Sequence, residues 1–491
     1  MKRMRWHDYL TVNLFWLGLN IRNTAVGSVF MPYLVDAFVQ PEVKNTALGM
    51  MRTAGLIIAM LVQPAMGILS DRSTSRFGRR RPFIFVGVLL DLVFLAAIGL
   101  SGSYWVLLVA ILLQQFSANV SHGPLQGLIP DLVPEDQRGR ASAVKAFFEL
   151  LPIILVGVTI AKLVGAGQLG WGIVATGGAL LIIMLLTVRL VHEEPLREEP
   201  TPPLQSGGGW GGWEPMLRVL GILAGIGVGA AAGVAGGGLV GGLVGLIVWP
   251  LAGATTAQMV GVGLGGLVAM VVAVVVGVWA GALTTLGSDA RREAAFTWWV
   301  VNRLLFLAAV TSIQGVAPFF LMHAFGVSRE VAASMNGSLM SVVGVFTLVA
   351  ALLGGWLADR LGRKGLVGVG GLVAAGGTLV LLGTMAVPTL SLIYVAGTII
   401  GLAAGLFMTA NWAMGTDLVP PLEAGRYLGI SNLAGAGAGM VGAGIGGVVA
   451  DILNRYQPGL GYFAIFACYA VLFVLSTVSL RGVRGGRSVG W

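Results

Sequence analysis

The feature that most constrains this chain is the alternation of apolar runs long enough to span a bilayer with short charged turns. It is sharpest over residues 63–84, QPAMGILSDRSTSRFGRRRPFI, where an apolar stretch ends in Asp71 and then Arg72, Arg76, Arg79, Arg80 and Arg81. Arginine beside a span stays on the cytoplasmic side, and a charge at the bilayer centre costs about 2.5–3.5 kcal/mol. Residues 71–81 are therefore expected to form a tight cytoplasmic turn between two spans. Gly67 allows a second helix to approach closely, Asp71 can reach a helix N-terminus or an arginine, and Gly78 permits the turn before Arg79 and Arg80.

Composition agrees with this and narrows the class. With 56% hydrophobic and 10% charged residues among 491, and a mean hydropathy of +0.88, the chain is a polytopic membrane protein. Its 76 glycines suit helix packing in lipid, where small residues let backbones approach. In a soluble chain the net charge of +9 would suggest nucleic acid, but here the basic residues sit where the positive-inside rule wants them, so no nucleic-acid partner is expected. Cys468 is the single cysteine, which excludes a disulfide framework and a thiolate metal site. There is no phosphate-binding loop and no His/acid cluster at ligand spacing, so neither enzyme activity nor a cofactor nor a metal is expected. Lys2, Arg3 and Arg5 before an apolar run imitate a signal peptide. The run is too long, and Asn13, Asn20, Arg22 and Asn23 interrupt it, so it reads as a first span.

Spanning runs fall near 10–34, 47–69, 83–101, 104–128, 143–165 and 171–190. These six make an N-terminal bundle over 1–191. A cytoplasmic linker over 192–216 follows, with EEPLREEPTPP and a glycine run. Next comes a glycine-rich helix pair within 217–293, its runs near 217–253 and 257–283 and a kink expected near Trp249-Pro250. Six more runs near 296–321, 332–356, 366–386, 389–412, 427–450 and 460–480 form a C-terminal bundle and cytoplasmic tail over 294–491. The expected architecture is all-α with about fourteen spans and both termini cytoplasmic. In that topology only Lys44, Lys162, Arg329 and Arg455 lie outside and only Arg22, Arg52, Lys145 and Arg303 lie within spans, the rest of the 30 Lys and Arg being cytoplasmic. Two crossings in the inserted pair keep Arg360, Arg363 and Lys364 inside; an odd number would turn the second half over.

An internal repeat divides the chain in two. GILSDRSTSRFGRR around Asp71 and IPDLVPEDQRGRASA around Asp131 recur as GGWLADRLGRK around Asp359 and GTDLVPPLEAGRYLG around Asp417. Two motifs at nearly one offset make each half a six-helix repeat, with the extra pair inserted between them.

The 63–84 run resembles the loop between the second and third helices of the major facilitator superfamily. Its SDR-T-SR-GRRRPFI wording is similar to the glycoside-pentoside-hexuronide:cation symporters, and Gln63-Pro64 to their sucrose-transporter branch. The resemblance covers roughly 8–200 and 294–482 and not the inserted pair, which is expected to face lipid or a partner subunit. It implies a major facilitator fold in the cell membrane, with a cytoplasmic latch at Asp71, Arg72, Gly78, Arg79 and Arg80, repeated at Asp359, Arg360, Arg363 and Lys364. The implied activity is secondary active transport of a sugar-like small solute, expected as proton-coupled import by alternating access. Two departures stand out. Melibiose-type permeases carry aspartates on the second helix where this chain has Ala59 and Gln63, and plant sucrose transporters carry one on the fourth where it has Gln115. The alternatives are a fourteen-helix drug exporter, whose Gly-Pro motif on the fifth helix is missing here, and a sensor or scaffold on the same fold.

Ionisable and amide side chains inside spans are the candidate functional residues, because each is costly unless paired or wetted. The candidates for coupling are Asp91, Glu149 and Arg22. Asp91 is either a proton carrier or the structural partner of Arg22, and Glu149 lies four residues from Lys145, a spacing that pairs them on one helix face. On the fourth span Gln115, Asn119, His122 and Gln126 share one face, flanked by Gln114, Ser117 and Ser121. Asn20 and Asn23 on the first span, Arg303 and Gln314 on the seventh and Asn411 and Trp412 on the tenth complete the candidate cavity. Amides beside an aromatic platform suit a polyhydroxyl ligand.

Overall fold

The computed structural model describes residues 4–191, 193, 214–287, 289–292, 294–418, 435 and 437–483. Every regular element in it is helical. Most of the expected linker and the tail beyond 483 lie outside the described residues.

The first passage is α1 (Trp6–Ala25), a π turn over Val26–Phe30 and α2 (Met31–Phe38). It is followed by α3 (Lys44–Asp71), α4 (Arg81–Gly99), α5 (Tyr104–Leu132), α6 (Arg138–Val158), α7 (Ile160–Gly165) and α8 (Leu169–Leu190). After the long α9 (Glu214–Leu286) come α10 (Asp289–Arg292), α11 (Ala294–Phe325), α12 (Arg329–Leu361), α13 (Arg363–Gly383) and α14 (Leu390–Leu418). A second π turn (Met440–Ile445) leads into α15 (Gly446–Tyr456), and α16 (Leu460–Ser479) closes the described chain. Pro64, Pro124, Pro130, Pro152 and Pro318 lie within helices, as membrane helices tolerate.

Twelve described helical stretches are long and apolar enough to cross a membrane. One of them, α9, has 73 residues, roughly 110 Å of helix against a hydrocarbon layer of about 30 Å. It is two crossings. The break is at Gly253, with φ 83° and ψ 167°, three residues beyond Pro250. Proline removes one hydrogen bond, but only glycine adopts that positive φ without strain, so the chain reverses at Gly253, the end of the first expected run, a few residues beyond the Trp249-Pro250 step where a kink was expected.

The chain divides into two compact units, the first holding the described residues of Met1–Phe38, Ala54–Val219 and Arg329–Ser341, the second those of Val39–Thr53, Leu220–Ser328 and Val342–Trp491. In the first unit α1 packs on α6 and α8, and α4 on α5. Its core joins Phe15, Trp16, Leu19, Ile84, Val88, Leu125, Leu180 and Met184. Small residues allow α6 and the start of α12 to touch: a Cβ on Gly337 would meet the backbone oxygen of Gly157 at 2.7 Å. Lys162 closes the same seam, donating to Ser334 Oγ at 3.1 Å and to Ser338 Oγ at 2.5 Å.

In the second unit α11, α13, α14 and α16 pack together. Phe306 stacks on Phe407 with centroids 3.6 Å apart and meets Phe473 edge-on at 5.0 Å. The first turns of α3 belong to this unit, where buried Asp451 accepts from Thr46 N at 2.6 Å and Asn45 N at 3.3 Å. A carboxylate on the free N–H groups of a helix start is favourable both as hydrogen bond and against the helix dipole. The two legs of α9 form an antiparallel hairpin in this unit. Glycine recurs every fourth residue from Gly221 to Gly245, and a Cβ on Gly229 or Gly233 would stand 2.5 Å from the backbone oxygen of Ala273 or Ala269. Only residues without a side chain permit that approach.

Candidate functional site

Each unit brings polar and aromatic side chains together at membrane depth. In the first unit Trp16 of α1 meets His122 of α5 edge-on, centroids 5.3 Å apart, and Lys145 Nζ of α6 lies 4.2 Å over the Trp16 ring. Glu149 pairs with Lys145 at 3.4 Å, their side chains 38% and 32% exposed, so neither is sealed within the bundle. Asn20 and Asn119 donate to the carbonyls of Trp16 and Gln115 one turn back, at 2.9 and 2.7 Å, and Gln115 packs over Gly55 of α3. The other face of α5 is buried. Gln114, Ser117 and Ser121 lie against α4, where Gly87 makes room for Ser121.

Asp91 and Arg22 form a sealed pair in this unit. Arg22 Nε is 2.9 Å from Asp91 Oδ2, the side chains 2% and 1% exposed, and Gln114 Nε2 donates to Asp91 Oδ1 at 3.0 Å. Exposed Asn23 accepts from Arg22 Nη1 at 2.6 Å. Of the two roles open to Asp91 in the sequence, the geometry displays the partnership with Arg22.

In the second unit Arg303 of α11 sits between indole rings, its Cζ 6.0 Å from the Trp299 centroid and 5.1 Å from that of Trp412. Its Nη1 donates to Asn411 Oδ1 at 3.3 Å. Asn411 is fully buried, accepts Trp299 Nε1 on its carbonyl at 2.9 Å and donates to Asn302 Oδ1 at 2.8 Å. It orients Arg303 and presents nothing to solvent. Gln314 is exposed, eleven residues and so three turns along α11 from Arg303.

The two charged turns fold alike. Gly78 adopts φ 96°, which turns the chain so that Arg79 and Arg80 face the end of α5. Arg79 and Arg80 both pair with Asp131, the latter at 2.9 Å, and Arg80 also reaches Asp71 and Ser70 Oγ, each at 2.5 Å. Glu193 accepts from the backbone of Arg80 at 2.9 Å and Arg81 at 3.4 Å; burial pushes its carboxyl above the usual carboxylate range, against the pull of those N–H groups. In the second unit Arg363 pairs with Asp417 and donates to the Ala413 carbonyl at 3.0 Å, Lys364 donates to the Val483 carbonyl at 2.7 Å, and Arg360 lies over the Trp356 ring at 4.0 Å. Arg72 and Asp359 are exposed. Asp131 and Asp417 anchor these turns and were absent from the sequence-based candidates, although their motifs carried the repeat; so were Glu193 and Asp451.

A helical protein of this build, with repeated charged turns and polar clusters buried among apolar spans, is a multi-pass membrane protein. The family model described as the Major Facilitator Superfamily matches residues 17–292 and 299–488, and the chain belongs to that superfamily. Curated relatives include the sucrose transport protein SUC3 of Arabidopsis thaliana, 34% identical over 112 residues, covering 18% of this chain and 19% of the relative. Solute carrier family 45 member 3 of Mus musculus is 29% identical over 221 residues, covering 41% and 39%, and the proton-associated sugar transporter A of Homo sapiens 33% over 170, covering 29% and 22%. The chain thus spans about a fifth to two fifths of the length of these relatives. Among solved structures, a POT family transporter superposes with a TM-score of 0.66 at 13% identity, covering 96% of this chain and 95% of that one. The nucleoside transporter NupG does so with 0.62 at 13%, covering 96% and 99%. These show the fold.

Proposed function

We propose that the chain is a secondary active transporter that imports a small, sugar-like solute across the cell membrane by alternating access, coupled to protons. The observation that carries the reading is the pair of cation and indole clusters, Trp16–His122–Lys145 and Trp299–Arg303–Trp412, with the amides of Asn20, Asn119 and Asn411 on the same helices. The exposed Trp412 indole can cover the apolar face of a sugar ring, while Trp16 and Trp299 are buried and back the cations that take its hydroxyls. The printed names of the relatives support the same solute class. The positive-inside distribution supports cytoplasmic termini, an N-terminal bundle over 1–191 and a C-terminal one over 294–491. The Arg79–Arg80–Asp131 and Arg363–Asp417 clusters are then the cytoplasmic latches.

Glu149 is the coupling carboxylate in this reading. It is part-exposed and paired with one lysine, so in this reading a proton reaches it and releases Lys145, whereas Asp91 is sealed against Arg22. The test is uptake of a labelled disaccharide panel into proteoliposomes with and without an inward proton gradient. The gradient should drive accumulation in the wild type, while Glu149→Gln still exchanges solute without accumulating it. Absence of gradient-driven accumulation of any sugar overturns the reading.

A further inference from the structure

The second unit holds an open cavity of about 820 Å³ that the polar clusters do not use, bounded by the two legs of α9 and by α15. The second leg is its floor, because that leg touches both walls: a Cβ on Gly241 of the first leg would stand 2.6 Å from the Gly261 carbonyl oxygen, and one on Gly266 would stand 2.5 Å from Val449 of α15. Gly238 and Gly242 line the first wall, both exposed, and a Cβ on either would meet nothing within 4 Å. Val448 and Val449 line the other. One wall thus lacks side chains, and a space remains where close-packed helices would otherwise interdigitate.

Its depth selects the occupant. On the first leg the lining runs from Val234 to Trp249, about 22 Å of helix. The Trp249 end lies at the membrane surface, since α9 reverses at Gly253, α15 ends at Tyr456, and Tyr456 donates to Gln258 Oε1 at 3.0 Å across the mouth. A bilayer with its headgroups is about 40–45 Å thick, so the groove reaches from one surface to about the midplane. A partner helix would pack through the whole hydrocarbon layer of about 30 Å. A lipid of one leaflet matches the groove from end to end.

The mouth selects the kind of lipid. Trp249 and Tyr456, both exposed, are the residue types that sit at headgroup level. Because Tyr456 occupies Gln258 Oε1, the amide Nε2 of Gln258 is left as a donor there. Arg455 is exposed and seven residues beyond Val448, which puts it two turns above that lining residue on the same helix face. A guanidinium at the rim offers a phosphate a charge-assisted, two-point contact. We propose that this groove binds one phospholipid, its chains along Gly238 and Gly242 and its phosphate at Arg455, retained when the bilayer is removed. The proposal stands apart from the transport reading, because binding is measured without flux.

The experiment is native mass spectrometry of the full chain, delipidated in mild detergent and titrated with dioleoyl phosphatidylglycerol or with dioleoylglycerol, which has the same chains and no phosphate. The wild type should hold one phosphatidylglycerol about tenfold more tightly than dioleoylglycerol. Gly242→Leu places a side chain in the open groove, clear of the hairpin contact, and should weaken that binding about tenfold at an unchanged melting temperature. Arg455→Gln should keep the chains bound and bring the two lipids within about twofold of each other. Absence of a one-to-one phosphatidylglycerol complex in the wild type overturns the proposal, as does Gly242→Leu binding like the wild type. Equal affinity of the wild type for both lipids overturns the phosphate contact and needs no variant. A lipid-free dimer that Gly242→Leu disrupts would put a second copy of the chain in the groove and overturn the proposal as well.

Discussion

Asp91 and Glu149 are both carboxylates within spans, and their surroundings assign them opposite work. Asp91 has given its charge to Arg22, at 2.9 Å and 1% exposure, so removing either partner strands the other in a dry bundle. Asp91→Asn should therefore cost on the order of 3–5 kcal/mol and lower the melting temperature in detergent, while Glu149→Gln leaves it nearly unchanged. If Asp91→Asn melts like the wild type, the pair is not a structural element of the first unit. Glu193 gives a pH-dependent counterpart outside the membrane. Its carboxyl is raised by burial, so between the ordinary and raised values the folded chain binds more protons than the unfolded one, and stability falls as pH rises through that window. Relative to Glu193→Gln, the wild type should gain melting temperature as pH is lowered from about 7 to about 4; an unchanged difference would contradict the burial argument. These residues also mark what sequence reading reaches. Lys145 and Glu149 pair at a spacing of four, which helical geometry makes visible. Arg22 and Asp91 lie on different spans, and the sequence offers them only as costly groups with Arg22 as one of two readings. Glu193 sits in a charged stretch where nothing distinguishes it from its neighbours.

At the scale of elements, the glycine-rich pair shows a pattern legible in outline but not in contact. Run lengths and the charge tally imply two crossings, and a glycine every fourth residue implies close packing. The partner surface is invisible to that logic, because Gly266 meets Val449 of α15 and Gln258 meets Tyr456 through tertiary contacts alone. The run boundaries put the reversal near residue 253, but which glycine takes the positive φ depends on a backbone angle that many glycines in the run equally supply by sequence. The hairpin makes a paired prediction. A Cβ on Gly233 would stand 2.5 Å from the Ala269 carbonyl, whereas one on exposed Gly238 would meet nothing within 4 Å. Gly233→Leu should therefore separate the legs and cost a few kcal/mol, about the 1–3 of an overpacked core, while Gly238→Ala should be neutral or gain up to about 1 kcal/mol of helix propensity. Thermal unfolding of the two variants decides it: equal losses would mean that the legs do not touch where the structure brings them together.

Over the whole molecule, the repeat is the deepest regularity, and it supplies the last prediction. The charged turn and the aspartate motif recur together, so each unit ties its own turn to the end of its own long helix, through Arg79 and Arg80 with Asp131 in one and Arg363 with Asp417 in the other. If the chain works by the proposed alternating access, repeating the device in both halves serves it, since each charged turn is then held in register with its own bundle. Neither cluster contributes to the indole-backed cations, so neutralising an aspartate should leave solute binding alone and slow the change of state. Asp131→Asn and Asp417→Asn are each expected to lower maximal uptake about tenfold with KM within about twofold, the signature of a lost conformational step and not of lost ground-state binding. Reversing the second pair as Arg363→Asp with Asp417→Arg should recover a substantial part of the rate, because the tie is remade with its sign exchanged. A rise in KM at unchanged maximal rate would instead assign these aspartates to the solute path and leave the charged turns with topology as their only role.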